Sequence, residues 1–102
     1  MAEYTVRVEL FRATDEDYAR LNASMERAGF TRFVTGSSGA RYQLPTGEYT
    51  LTAPGGSAAF IQTNTRDLAI AIRPNPCIFV TEATARAWSL PKVQPPPEPS
   101  PS

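Results

Sequence analysis

The side chains of this chain best suited to binding a charged ligand are its arginines, which make up nine of the ten basic residues. The planar guanidinium binds phosphate through two parallel hydrogen bonds and also stacks on nucleobases. Arg7, Arg32 and Arg41 fall on predicted strands, and Tyr42 and Tyr49 lie on the same stretch of chain as Arg41. If the arginines share one sheet face with either tyrosine, that face would bind single-stranded RNA. The alternative is that the ten acidic residues pair with them on an ordinary exposed surface.

Composition excludes several other chemistries. The chain has no histidine and a single cysteine, Cys77, which removes histidine general bases, His- or Cys-rich zinc sites and internal disulfides. The formal net charge is zero, so no overall basic field attracts nucleic acid. Asp15, Glu16 and Asp17 would point around a helix rather than at one ion, which favours a helix N-terminus. We therefore expect neither a metal nor a cofactor.

The 102 residues divide by composition into a globular part, 1–90, and a proline-rich tail, 91–102. Six of the ten prolines lie in this tail, a composition typical of disordered or polyproline-II chain. The globular part has the length of one domain. No apolar run approaches the roughly 20 residues that span a bilayer, and no signal-peptide pattern is visible. We expect a cytoplasmic protein that does not contact a membrane.

Five segments are predicted to be strands. Apolar and polar residues alternate over Tyr4–Phe11, which indicates a strand with one buried face. Cys77–Thr81 is an apolar run of strand length, typical of a central strand. Trp88 is expected to fold back on the core. The remaining extended segments are predicted at 31–35, 41–44 and 48–52. The last two count as one strand of the fold, interrupted at Leu44-Pro45-Thr46-Gly47 by an edge, a bulge or a break into two short pieces.

Two helices are predicted between these strands. Thr14 can cap the first, with Asp17 three residues later as the partner of a capping box. Residues 57–73 are predicted to form the second, capped by Ser57, although 68–72 also alternate like a strand. The resulting order predicts an α+β, ferredoxin-like βαββαβ fold: a four-stranded antiparallel sheet with two helices on one face.

Several short motifs, in their order and spacing, resemble those of one family. They are Tyr4-Thr-Val-Arg-Val-Glu-Leu, Met25-Glu-Arg-Ala-Gly-Phe30, Tyr42-Gln-Leu-Pro-Thr-Gly-Glu-Tyr49, Phe79-Val-Thr-Glu-Ala83 and Arg86-Ala-Trp88. Over about residues 4–90 the chain resembles the endoribonuclease antitoxins of type V toxin–antitoxin systems (the GhoS-like family). The resemblance implies a ferredoxin-like fold, similar to that of some CRISPR-associated proteins, and cleavage of the mRNA of a partner membrane toxin.

The residues themselves select no catalytic set. Related CRISPR-associated nucleases carry an aspartate near the end of the first strand, where this chain has Leu10-Phe11-Arg12. The neighbouring Glu9 is expected on the outer sheet face. Metal-dependent cleavage needs carboxylates beside the scissile phosphate, so the catalytic residues stay unassigned.

Three functions follow as hypotheses, one of which, a small-molecule-binding regulator with a pocket between helices and sheet, has no marker in the sequence. The first is a small antitoxin-like protein that acts on single-stranded RNA, as an endoribonuclease against a toxin mRNA. The alternative is a non-catalytic protein-interaction module, encoded by a phage or mobile element, that docks on a protein partner through a sheet face or edge strand. Analogy with other proteins of the predicted fold adds a homodimer to the expected partners.

Overall fold

The computed structural model describes residues 1–93, so the predicted tail lies outside the described residues from position 94 onward. The chain forms an α+β fold of two helices and five strands. In chain order the elements are β1 (Ala2–Glu9), α1 (Asp15–Arg27), β2 (Phe33–Thr35), β3 (Arg41–Gln43), β4 (Glu48–Ala53), α2 (Ala58–Ile70) and β5 (Cys77–Ala83).

β1 is the centre of an antiparallel sheet of three strands with the order β4-β1-β5. β2 and β3 form a separate antiparallel hairpin. One bridge, between Thr31 and Thr50, links the start of the hairpin to β4. The α+β class and the βαββαβ-like order are confirmed, and the sheet consists of three strands with the hairpin beside it rather than of four continuous strands.

Side-chain hydroxyls explain why the hairpin does not continue along β4. The amides and carbonyls of Thr31 and Thr50 exchange two hydrogen bonds of 2.9 Å. Two residues further on, the carbonyl of Phe33 accepts instead from the hydroxyls of Thr31 at 3.2 Å and Thr50 at 3.0 Å. Threonine hydroxyls compete with backbone amides for such carbonyls, so backbone pairing with β4 ends after one bridge.

The core lies between one face of the three-stranded sheet and the two helices. β1 supplies alternate residues to this core, as its sequence pattern predicts. Removing such side chains from water is the main favourable contribution to folding. The buried apolar residues packed together are Tyr4, Val6, Val8, Leu10, Leu21, Met25, Phe30, Tyr49, Ile61 and Ala69.

The two helix N-termini differ. The predicted capping box of α1 is confirmed: the Asp17 amide donates to the Thr14 hydroxyl at 3.2 Å, and the Asp17 carboxylate accepts from the Thr14 amide at 3.1 Å. Ser57 occupies the predicted N-cap position of α2, but its side chain makes no capping hydrogen bond. The Ser57 hydroxyl donates to the Pro54 carbonyl at 2.6 Å, and its backbone (φ −89°, ψ 4°) lacks the extended geometry of a cap. Within residues 1–93, no helix is long and apolar enough to cross a membrane.

β5 lies at the edge of the sheet, so its predicted central position is wrong. Ile78 and Val80 pack against the core, whereas Cys77, Phe79 and Thr81 are exposed. These three side chains are exposed because helices cover only one face of the sheet at β5. An apolar run of this length does not by itself show how many of its faces are buried.

Candidate functional site

The face of the sheet that turns away from the helices carries the exposed residues of β1. Arg7 lies there, paired in register with Phe79 of β5 on one side and Glu48 of β4 on the other. Arg7 is exposed, and 70% of the Phe79 surface is exposed. A guanidinium and a phenyl ring therefore lie next to each other on open sheet surface, at the spacing of neighbouring strands.

A second part of this outer face is covered by the end of the described chain. We call residues 84–93 the C-terminal strap. Arg86 of the strap donates to the Thr5 hydroxyl through Nη2 at 2.9 Å and Nε at 3.3 Å. It also lies 3.6 Å from the Glu3 carboxylate. Because Thr5 and Glu3 are outer-face residues of β1, these contacts hold the strap across the sheet.

The strap ends by pairing with the hairpin. The Gln43 amide donates to the Pro91 carbonyl at 2.8 Å, and the Val93 amide donates to the Arg41 carbonyl at 2.9 Å. The chain is thus hydrogen-bonded to the fold through Val93, three residues beyond the predicted domain boundary of 1–90. Trp88 packs on Tyr42 of β3 with ring centroids 5.7 Å apart, so it contacts the hairpin and not the main core as predicted.

Cavities flank these elements on both faces of the sheet. One, of about 370 Å³, lies between the strap and the outer face, and five of its twelve lining residues are threonines. Another, of about 620 Å³, is a mainly apolar groove between the end of α1, β4 and α2. Phe60 of α2 lines the second groove and has 70% of its surface exposed.

The three arginines predicted to bind RNA are not brought together on one face. Arg7 is free of ion pairs among the described residues, whereas the Arg32 guanidinium lies 3.7 Å from the carboxylate of Glu26 on α1. The Arg41 guanidinium lies over the Phe33 ring, 4.4 Å from its centroid. Two of the three are therefore engaged by side chains of the fold itself.

The two predicted tyrosines occupy different environments. Tyr42 is half-buried against Trp88 and alternates with Arg41 along β3, so the two residues point to opposite faces of the hairpin. Tyr49 pairs in register with Val6 and shares its buried face. It is fully buried and donates a hydrogen bond to the Asn22 side chain. Burial raises the pKa of Tyr49 to about 12. The prediction that Tyr49 could join the outer face is wrong.

Sequence reasoning missed Phe79 as a surface residue. Its apolar neighbours suggested a buried strand, but alternation along an edge strand leaves every second residue exposed. The available signal was Arg7, which alternates with the core residues of β1 and so marks the face on which its cross-strand neighbours lie. Glu9 is exposed on the outer face beside Cys77, as predicted.

The turn that follows β1 presents a second exposed aromatic residue. Phe11 has 56% of its surface exposed, and the Arg12 guanidinium lies 5.2 Å from its ring centroid. This contact is a cation–π interaction of the kind that orders an arginine on a surface. The turn begins after the buried Leu10 and adds an exposed aromatic residue and an arginine beyond the end of the strand.

The two carboxyl groups with lowered pKa stabilise loops and helix ends. Hydrogen bonds from the Gly56 amide and then from the Tyr4 hydroxyl lower the pKa of Glu82. Hydrogen bonds from the Thr14 amide and then from the Arg73 guanidinium lower the pKa of Asp17. Arg73 Nε lies 2.7 Å from the Asp17 carboxylate. Both groups already have protein partners, so they are structural residues rather than candidates for acid–base catalysis.

The outer-face surface of Arg7 and Phe79, with Phe11 and Arg12 beyond it, is the candidate functional site. Comparison of the chain with protein-family models finds no match, and a search among curated proteins finds none either.

Proposed function

We propose that this chain binds single-stranded RNA as an antitoxin-like protein of the type V family it resembles, through Arg7 and Phe79 on the open part of the sheet. The observation that carries the proposal is their cross-strand pairing together with their exposure. An exposed ring on a sheet gives a base a stacking surface, and a neighbouring guanidinium binds the adjoining phosphate.

The same proposal covers how the β2–β3 hairpin joins the three-stranded sheet. We infer that the hairpin and the three-stranded sheet act as one ferredoxin-like sheet in solution. The bridge between Thr31 and Thr50 supports this inference because it puts the start of the hairpin next to β4. The resulting order, β5-β1-β4-β2, is that of a ferredoxin-like sheet with β3 added at its edge.

Charge on the outer face limits the electrostatic part of the binding. Glu48 pairs in register with Arg7, and Glu9 is two residues away on the same face. These carboxylates repel phosphate and offset the attraction of a single arginine. Stacking on Phe79 therefore contributes more than phosphate contact, and we expect a weak dependence of affinity on salt.

Fluorescence anisotropy with a short labelled RNA tests the proposal on the full chain. Phe79→Ala should weaken binding by about 5- to 150-fold, from the usual 1–3 kcal/mol per stacked base. Phe60→Ala is the matched control, because Phe60 has the same 70% exposure but lies on α2. Arg7→Ala should weaken binding and reduce the salt slope by about 0.7, whereas Arg66→Ala on α2 should change neither.

The same samples test cleavage, which the family resemblance implies. RNA labelled at one end is incubated with the protein in Mg²⁺ and in EDTA, and cleavage must follow the protein peak and be lost in the Phe79→Ala variant. Binding without cleavage would leave an RNA-binding protein. If Phe79→Ala and Phe60→Ala weaken binding equally, the outer face is not the site. If the chain binds no RNA, the proposal fails and the non-catalytic interaction module becomes the leading account.

A further inference from the structure

Among the named strands of residues 1–93, β5 is the one whose second edge has neither a backbone partner nor a side-chain hydrogen bond. β4 is bonded at Thr50 to Thr31, and β3 is bonded to the strap at Pro91 and Val93. The β2 carbonyl at Phe33 is taken by two hydroxyls. β5 bonds to β1 along one side only. An open strand edge is a template for pairing with another strand.

The direction of the open amides follows from β1. The Val8 amide donates to the Gly47 carbonyl, which lies on the β4 side. Backbone groups alternate in direction along a strand, so the odd-numbered residues of β1 bond to β5. Their register partners on β5 are also odd-numbered. The amides and carbonyls of Ile78, Val80 and Glu82 therefore point to the open edge.

The apolar part of this edge, between Pro76 and Glu82, lacks the features that protect monomeric proteins from pairing. Cys77–Thr81 contains no charged residue, no proline and no glycine, although exposed edges are usually protected by lysine, proline or bulges. Phe79 adds a largely exposed ring. A second copy of the same strand meets no like charge across this stretch, so the usual electrostatic barrier to self-pairing is absent.

We propose that two copies of this chain pair antiparallel through β5, with the two-fold axis beside Phe79. The run Ile78-Phe79-Val80 is apolar on both sides of Phe79 and is therefore complementary to itself. In this register Phe79 lies opposite Phe79 of the partner subunit, and Ile78 lies opposite the partner's Val80. Glu82 falls outside the apolar pairs, which leaves its bonds to Tyr4 and Gly56 intact.

The dimer also enlarges the candidate RNA surface, and this consequence alone depends on the proposed function. The two Phe79 rings lie side by side on the outer face of one continuous sheet, with an Arg7 on each flank. Two adjacent rings can stack two bases, so the partner copy completes the site. The dimer is tested without RNA, so its failure and that of RNA binding are separate results.

Sedimentation equilibrium of the full chain tests the pairing. Phe79→Glu puts two carboxylates opposite each other and removes the aromatic pair, so it should weaken dimerisation by about 30-fold or more. The matched control is Thr81→Glu, also on the exposed face of β5 but opposite Cys77 of the partner subunit, which should change it by less than about threefold. A chain that stays monomeric at millimolar concentration, or a dimer indifferent to Phe79→Glu, overturns the proposal.

Cross-linking tests the register. Residues of non-hydrogen-bonded antiparallel pairs have Cα atoms about 4.5 Å apart, within the range of a disulfide. Thr81→Cys should therefore form a disulfide with Cys77 of the partner subunit, which gives a covalent dimer. A reductant should cleave this disulfide. Ala83→Cys, whose residue lies beyond this pair, should give far less. Cross-linking of Ala83→Cys alone would overturn the register, and a monomer that instead takes up a strand from another protein would overturn the second copy as the occupant.

Discussion

Gly47 is the position at which one added methyl group should cost the most stability. Its φ is +84°, and a Cβ built there would lie 2.4 Å from the Val8 carbonyl oxygen. The turn cannot move away freely, because the Gly47 carbonyl accepts from the Val8 amide at 2.7 Å. Gly47→Ala therefore combines an unfavourable backbone conformation with a steric overlap against the central strand.

The expected cost is the sum of two effects. A left-handed conformation costs a residue with a Cβ about 1–2 kcal/mol, and overpacking against fixed structure costs about 1–3 kcal/mol. We expect Gly47→Ala to lower the free energy of unfolding by about 3 kcal/mol. For a domain of this size that corresponds to a fall in Tm of about 12–24 °C.

Gly56→Ala separates the two effects. Gly56 has a similar φ of +80°, but a Cβ there meets nothing within 4 Å. It should therefore show the conformational cost alone, about 1–2 kcal/mol. Urea denaturation of both variants, followed by circular dichroism, gives the difference. If Gly47→Ala costs no more than Gly56→Ala, the close approach of this turn to β1 is absent in solution and the reasoning fails.

Three further predictions concern polar side chains. Thr65 Oγ1 is buried without a hydrogen-bond partner among residues 1–93, so Thr65→Val should raise the free energy of unfolding by about 1 kcal/mol in urea denaturation, while Thr65→Ser should lower it. Because the folded-state pKa of Glu82 is lowered, its contribution to stability is present above its ordinary value of 4.5 and is lost as the pH falls through the folded value. The urea midpoint should thus fall more steeply below pH 4.5 than in Glu82→Gln, and equal slopes would refute this. The raised pKa of Tyr49, about 12, has the opposite sign: its contribution is complete below 10.0 and lost as the pH rises through about 12, so tyrosinate absorbance in Tyr49→Phe should lack the last ionisation.

Local patterns predicted the elements better than their faces. Strict alternation fixed the buried side of β1, and the capping box fixed the start of α1, because both signals lie within one element. The burial of Tyr49 could also have been predicted from the sequence, because Tyr49 alternates with Glu48 and Thr50 and shares a face with Leu51. Assigning it to an outer face ignored this period of two.

The features that define the candidate site depend on distant parts of the chain. The edge position of β5 is set by the sheet order and not by its own residues. Arg86 and Thr5, whose contact fixes the strap, are 81 positions apart. No sequence motif indicates such a contact. The part of the outer face that the strap covers could therefore not have been predicted. Phe79, on the open part beside the predicted Arg7, was missed for the same reason.

The central place of β1 also bears on how the chain is made. Its partners are the two last strands, and Tyr4 meets Glu82 across 78 positions of sequence. At about 5–20 residues per second, the ribosome would need about 4–16 s to supply that partner after Tyr4 is synthesised. β4, the other neighbour of β1, is complete once Ala53 is made, but the second edge of β1 has no strand to pair with until β5 follows. The nascent protein thus exposes one edge of its central strand, and a transcript cut short before β5 would yield a product unable to complete its sheet.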